Sequence, residues 1–542
     1  MANVFQFQKV PVEIQKRNGF DESHRASGTA TCGTLIPVLS KFLIPSTEFN
    51  LDAVFNVDFP PFATDFKGRI NSAIECFWIP ERLASVNWKK FIKQGANASN
   101  GVLLQWIFSH GDDGNNVSKY FANGTLADYL GYGLTSYAEN FPLGWAAPFV
   151  HYGLVWDYWY RNKNVQVSLL SEDMASVPSS GGEWMLSAFF RDNSSVINAK
   201  NISIGVVDDI SDFAAIGGAP IWGDRSSLFA LRQRNYPKDY FTALFPTTMV
   251  NGATMKVDTS IGDQFDIAQL RAANAGTLFL ERYTMAGSDY DDIMFAMYGI
   301  RPSDAAVNHP LYLGRIRSVV YNRYVDQNTG SAAPNNRNPF SGSLGSAAAR
   351  GNSSMRGNLV KNFTTTEHGH LLCLFSIWPD AQYNQGTRRD NLIADLTHVP
   401  FPLLQSIGFD KVYQNEIYAN WSSLIPPSTL FAAFAYGERY AWYKFEKDHV
   451  NGLLRPGANL ATFALQRTFA TLPSFGSSFL EVGLDDLDNV FAVSQSASGF
   501  ACWYDIYFTL HISAPLAAYS IPTLGEPKDA RTVWIENGGH ML

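Results

Sequence analysis

From Phe500 to Ile512 every second residue is apolar or aromatic: Phe500, Cys502, Tyr504, Ile506, Phe508, Leu510 and Ile512. Between them lie Asp505, Thr509 and His511, among others. Successive side chains of a strand point to opposite faces, so this pattern specifies a long strand with one face in a core. The same period runs through Glu48–Val57, where Phe49, Leu51, Ala53, Phe55 and Val57 share a side. Arg69–Ile79 and His370–Trp378 read instead as strands buried on both faces. Helical patterns fall over Ser85–Lys93, Gln264–Tyr283 and Asp289–Tyr298. Strands at both ends with long mixed segments between them fit one all-β sandwich with large insertions, better than a string of separate domains.

Composition agrees with extensive burial. The 542 residues are 46% hydrophobic and 14% aromatic but only 17% charged, against about 25% charged in ordinary globular chains. Few charges and many rings suit a surface that packs against copies of itself. The net charge of -8 excludes a uniformly basic nucleic-acid coat, though not a local basic face. The start of the chain has no apolar core of a secretory signal, and no apolar run approaches the roughly 20 residues of a membrane helix. Cys32, Cys76, Cys373 and Cys502 lie far apart in sequence and are expected to be four buried thiols.

Positive charge is concentrated in two segments. Between Ala305 and Lys361 seven basic residues face one acid, Asp326. Between Arg225 and Lys238 there are four bases and no acid. Thr468–Pro527 has six acids and no Lys or Arg. In the basic segments Arg232, Arg234 and Lys238 interleave with Phe229, Tyr236, Tyr240 and Phe241; Arg315, Arg317 and Arg323 interleave with Tyr312, Tyr321 and Tyr324. Cations for a phosphate backbone and rings for base stacking are what sequence-tolerant binding of single strands uses. Arg225, Arg232, Arg234, Lys238, Arg315, Arg317 and Arg323 are therefore the candidate nucleic-acid-binding residues; ion pairs between subunits are the structural alternative. In a strand, Arg315 and Arg317 would share a face.

Catalytic patterns are missing: there is no phosphate loop, no H-E-x-x-H and no G-x-S-x-G. No enzyme activity and no cofactor are expected. His368 and His370 could begin a metal site on one strand face, but no third ligand of known spacing is nearby, so structural or surface histidines are the expectation. Asp485–Asn489 lacks the Gly and distal Glu of an EF-hand. A carbohydrate-binding or carbohydrate-active β-sandwich, with Trp145–Trp159 as its sugar platform, is the competing functional class.

A family resemblance runs from about Asn18 to Pro527. Its short motifs stand in order: Phe20–His24, Thr31–Pro37, Phe77–Arg82, Tyr152–Val165, Leu231–Pro246, His309–Gly314, Glu367–Gly369, Tyr383–Arg388, Gln414–Ile417 and Tyr436–Tyr443. Together these resemble the major capsid proteins of microviruses, in particular the gokushovirus-like branch of these tailless phages with circular single-stranded DNA. The resemblance implies an eight-stranded antiparallel viral jelly roll with long helix- and loop-containing insertions. It implies one capsid domain over residues 1–542, with strands spread over about 30–80, 365–380 and 480–515. It also implies self-assembly into a T=1 icosahedral shell around the genome, in the cytoplasm of a bacterial host. Implied partners are identical chains, single-stranded DNA, minor capsid, pilot or internal scaffolding proteins and a host cell-surface receptor, with no membrane. Ser168–Ile221 is a candidate surface insertion, Asn97–Phe121 a further exterior decoration, and Gln327–Asn358 a flexible low-complexity loop.

Overall fold

The computed structural model describes residues 17–63, 66–84, 105–109, 121–133, 142–166, 202–206, 221–222, 229–246, 290–299, 309–326, 347–394, 396–419, 431–492 and 499–517, with a few isolated positions. In chain order the first strands are β1 (Asn18–Asp21), β2 (His24–Ala30), β3 (Ile36–Leu43), β4 (Glu48–Asp58) and β5 (Ile70–Pro80). Next come β6 (Gln105–Ser109), β7 (Pro142–Trp145), β8 (Ile202–Val206), β9 (Ile221–Trp222), β10 (Leu311–Val319) and β11 (Tyr321–Asp326). The last are β12 (Ala347–Thr364), β13 (Gly369–Pro379), β14 (Asp410–Tyr413), β15 (Ala433–Gly437) and β16 (Cys502–Ala514). Three helices matter below: α1 (Glu81–Ala84), α2 (Ala147–Val155) and α3 (Tyr290–Tyr298).

Two antiparallel sheets form the body. One is six-stranded, in the order β1-β16-β4-β12-β11 with β2 also on β16; the other is four-stranded, in the order β10-β5-β13-β3. Consecutive strands β2, β3, β4 and β5 alternate between the sheets, as do β12, β13 and β16. This is the wrapping of a jelly roll. Among the described residues its two sheets hold six and four strands, the short β1 and β11 lying at the two ends of the larger sheet.

The alternation read from the sequence decides which residues fill the space between the sheets. Phe49, Leu51, Ala53, Phe55 and Val57 of β4 and Cys502, Tyr504, Ile506, Phe508, Leu510 and Ile512 of β16 all enter one core. Leu371, Cys373, Phe375 and Ile377 of β13 meet them from the opposite sheet. Phe375 lies 6.4 Å from Phe55 and 5.1 Å from Tyr504, ring centre to ring centre. The intervening residues of the same strands, Phe77, Ile79, Leu372 and Leu374, enter a second core with Phe149, Val150 and Tyr152 of α2. Every residue of β5 and β13 is consequently buried, including the polar Asn71, Ser72, Glu75, His370 and Ser376.

The thiol expectation is corrected. Cys76 and Cys373 face each other on β5 and β13 and form a disulfide. Their separation of 297 residues hides the pairing from sequence spacing. Cys32 and Cys502 are free and buried. The low-complexity segment also differs from expectation: from Ala347 onward it is strand, pairing with β4 and β11, while 327–346 lies outside the described residues. Its small residues have a packing reason. A Cβ on Gly351 would stand 2.5 Å from the Phe62 ring, and one on Gly357 2.9 Å from Ile316. The helix expected near Asp289 is α3; those at Ser85–Lys93 and Gln264–Tyr283 fall almost wholly outside the described residues. Strand β6, from the 97–121 segment, pairs with β8, from the 168–221 segment, with Gln105 opposite Val206 and Ser109 opposite Ile202.

A third core gathers Tyr240, Phe241, Tyr383, Val412, Ile417 and Phe434. At its edge the buried Glu416 accepts hydrogen bonds from Tyr240 Oη (2.6 Å), Arg389 Nη1 (2.9 Å) and the Tyr413 backbone N–H (2.9 Å). Lys447 donates to the Glu416 carbonyl at 3.1 Å and sits 4.4 Å from the centre of the Phe241 ring. Burial pulls the Lys447 ammonium down from 10.5 to about 8. Between those two pH values the unfolded chain holds more protons at this position than the folded one, so this group makes stability rise with pH through that window. Lys447→Met is expected to flatten that rise in denaturant midpoints measured across the window; an unchanged profile would contradict the assignment.

Candidate nucleic-acid interface

The outer face of the four-stranded sheet has two halves. One is apolar and lies under α2. The other is polar, because Asn71 and Glu75 of β5, Arg315 and Arg317 of β10 and Ser376 of β13 point the same way as the alternation continues. Two further segments wall this half. After Val155 the helix widens into a π-turn, Trp156–Tyr160, which carries Trp159 and Tyr160 to the rim. The extended segment around Arg234 is pinned on both sides by its backbone. Arg234 N–H donates to the Gly33 carbonyl at 2.7 Å, and Val482 N–H donates to the Arg234 carbonyl at 2.9 Å.

Together these elements enclose a cavity of about 550 Å³. Its lining includes the bases Arg161, Lys163, Arg234, Lys238, Arg315 and Arg317, the rings of Trp159, Tyr160, Tyr236 and Trp378, and the acid Asp292. The guanidinium of Arg234 lies 3.8 Å from the centre of the Trp378 ring; that of Arg317 lies 5.6 Å from it. Arg234 Nη1 also donates to Glu75 Oε2 at 2.9 Å and to Ser376 Oγ at 3.1 Å. Arg315 Nη1 is 3.6 Å from the other oxygen of Glu75. Tyr160 donates its hydroxyl to Glu75; burial, with Glu75 beside it, pushes that hydroxyl well above its ordinary range and keeps it a donor. Arg161 pairs with Asp157 at 3.0 Å and Lys163 with Asp292 at 2.6 Å. Lys238 and Arg317 have no carboxylate partner among the described residues, and Arg317 Nη2 instead donates to Asn71 Oδ1 at 2.7 Å.

Four of the seven candidate residues therefore converge: Arg234, Lys238, Arg315 and Arg317. Arg315 and Arg317 share a face as expected, with Ile316 between them in the core. Arg232 does not line the cavity; its guanidinium lies over the Trp156 ring at 5.1 Å. Arg323 is separated because the chain changes sheets at Val320, placing β11 in the other sheet with Arg323 opposite Arg350. Arg225 lies outside the described residues. Sequence reading missed Glu75, Trp159, Tyr160, Lys163 and Trp378, which reach the site from strands and turns distant in the chain. In the Trp145–Trp159 stretch Trp156 is buried, and the exposed Trp159 donates its indole N–H to the Pro310 carbonyl at 2.9 Å. In the acidic loop, Asp486 accepts from the Tyr236 hydroxyl and the Gly483 N–H, both at 2.6 Å, which ties the loop to the Arg234 segment.

The family model described as capsid protein (F protein) matches residues 8–524. Capsid protein VP1 of Chlamydia phage 1 is 24% identical, over 96% of this chain and 97% of its own length. Capsid protein VP1 of Bdellovibrio phage phiMH2K is 22% identical, over 88% of this chain and 90% of its own. Capsid protein VP1 of Spiroplasma virus 4 matches 49% of this chain at 24% identity.

The site separates a positioning charge from an available one. Arg234→Met strands the largely buried Glu75 beside its more distant partner, and is expected to lower unfolding free energy by about 3–5 kcal/mol. Arg317→Gln removes no ion pair and is expected to cost under about 1 kcal/mol. Denaturant titration of the two variants checks this; equal losses would show that the ion pair with Glu75 does not organise the site.

Proposed function

Since the chain belongs to the phage capsid F-protein family and is a major capsid protein of the microvirus type, we propose that it closes into a T=1 icosahedral shell around circular single-stranded DNA, with the basic cleft on the inner surface. The observation that carries the interior assignment is the convergence of Arg234, Lys238, Arg315 and Arg317 with Trp159 and Trp378 in one cavity. A net-negative chain has gathered cations and rings from separate strands and loops into a single place. Part of that charge is neutralised internally by Glu75, Asp157 and Asp292. Lys238 and Arg317 are the charges left for phosphate, and exposed rings such as Trp159 offer faces for bases. One chain can match only a fraction of the packaged phosphates, so small cations supply the rest.

Assembly, rather than turnover, is the mechanism. Identical chains meet through apolar edges, burial of those edges drives closure, and many weak contacts act together on each subunit. Exposed Leu403, Tyr443, Phe445, Leu453 and Tyr298 are available for such contacts on the isolated chain. The segments 97–121 and 168–221, joined through β6 and β8, are proposed as exterior decoration that meets the host receptor. Residues 327–346 are proposed as a flexible loop. Minor capsid, pilot or internal scaffolding proteins are proposed partners, and the bacterial cytoplasm the place of assembly.

The experiment is a salt titration of oligothymidylate binding to dissociated capsid protein. Lys238→Gln and Arg317→Gln are each expected to flatten the log–log salt dependence by about 0.7, the share of the slope that one neutralised phosphate supplies on a single strand. The double variant is also expected to raise the ratio of empty to full particles. An unchanged slope and an unchanged ratio would reject the interior assignment.

A further inference from the structure

At the opposite end of the same sheet face lies a buried cluster that the shell role does not use. We propose that Glu81, His151 and His370 bind a divalent transition-metal ion of the Zn²⁺ class that fastens α2 to the four-stranded sheet. The three residues come from separate elements. Glu81 opens α1 directly after β5, with its N–H donating to the His368 carbonyl at 2.9 Å. His370 is on β13, opposite Ile79, and His151 projects from α2. All three are buried, at 0%, 1% and 6% exposure for Glu81, His151 and His370.

Their donor atoms suit one ion. A carboxylate oxygen and one nitrogen of each imidazole lie within 4.8 Å of one another. Tetrahedral zinc with bonds of about 2.0–2.2 Å sets its ligands roughly 3.3–3.6 Å apart. His151 Nε2 and Glu81 Oε2 are already 3.4 Å apart. Neither of these two atoms has a hydrogen-bond partner, and His151 Nδ1 also lacks one. Buried polar atoms without partners cost about 1–3 kcal/mol each, so they are uncommon without a missing occupant. The two imidazole rings also stand close together, 4.4 Å between centres, against a single carboxylate. A hydrogen bond joins His370 Nδ1 to Glu81 Oε1, whereas His151 Nε2 approaches Glu81 only at ion-pair distance. A cation of charge two satisfies the carboxylate and both facing nitrogens.

Imidazole nitrogen with carboxylate oxygen is a donor set for zinc and neighbouring transition metals rather than for calcium or magnesium. Phe42 and Trp145 wall the His370 side at 5.4 and 5.8 Å between ring centres, which encloses the site on that side. A water molecule would take the fourth position. His368, the histidine that pairs with His370 in the sequence, is not a ligand; its ring stacks on Phe42 at 6.0 Å. Binding requires the facing nitrogen of each imidazole to be free of a proton, so the proton between His370 and Glu81 moves to the far ring nitrogen of His370.

The test is elemental analysis of purified particles together with reconstitution. Wild-type particles are expected to carry about one zinc ion per chain, and His151→Phe particles at least tenfold less. Because that variant could fail to assemble, a second measurement uses wild-type protein only. After treatment with a chelator its thermal midpoint is expected to fall, to recover with Zn²⁺ and not with Mg²⁺, and Co²⁺ is expected to give the visible absorption of a tetrahedral site. Zinc retained in full by His151→Phe would identify an adventitious ion only. Chelated protein that neither shifts nor binds Co²⁺ would overturn the site.

Discussion

The structure depends on β5 and β13, the two central strands of the four-stranded sheet, which are buried along their whole length. Strands β5 and β13 send alternate residues into two different cores: Cys373, Phe375 and Ile377 toward the six-stranded sheet, Leu372 and Leu374 toward α2. Strands packed on both sides have little freedom of register, because a slip of one residue would exchange the two faces. The disulfide between Cys76 and Cys373 lies at that shared register. Once the sheet is fixed, everything placed on its outer face is fixed too.

What is placed there divides by polarity. Where α2 covers the sheet, the face is apolar and ends in the Glu81, His151 and His370 cluster. Where α2 gives way to a π-turn, the face is polar and holds Glu75. That carboxylate is the organising charge of the cleft, since it takes Arg234, Arg315 and the Tyr160 hydroxyl at once. Its effect is to hold two arginines in place while cancelling part of their positive charge. The cleft therefore offers shape and the exposed face of Trp159 along with a few uncommitted cations, a combination that suits a flexible, non-specific polyanion.

The long strands were legible because their side chains obey a strict period. Glu48–Val57 and Phe500–Ile512 occupy β4 and β16 with the expected residues inward, and Arg69–Ile79 and His370–Trp378 give the two strands buried on both faces. Strand β12 was not legible. Its Gly, Ser, Ala and Asn sequence has no apolar alternation, since its glycines are there to let Phe62 and Ile316 approach. The cleft was half legible: local spacing brought out Arg234, Lys238, Arg315 and Arg317, whereas Glu75 and Trp378 carry no local signal and meet the arginines only through strand pairing. The same holds for Glu81 and His151, which complete a site of which the sequence showed only His370.

The central claim is that identical chains build a container whose inner wall includes this cleft. A cryo-microscopy reconstruction of purified, genome-filled particles tests it most directly. The account predicts closed icosahedral shells with Lys238 and Arg317 on the inner surface and nucleotide density against the exposed ring of Trp159. Particles in which that cavity opens outward, or is sealed by a neighbouring subunit with no nucleotide in it, would contradict it.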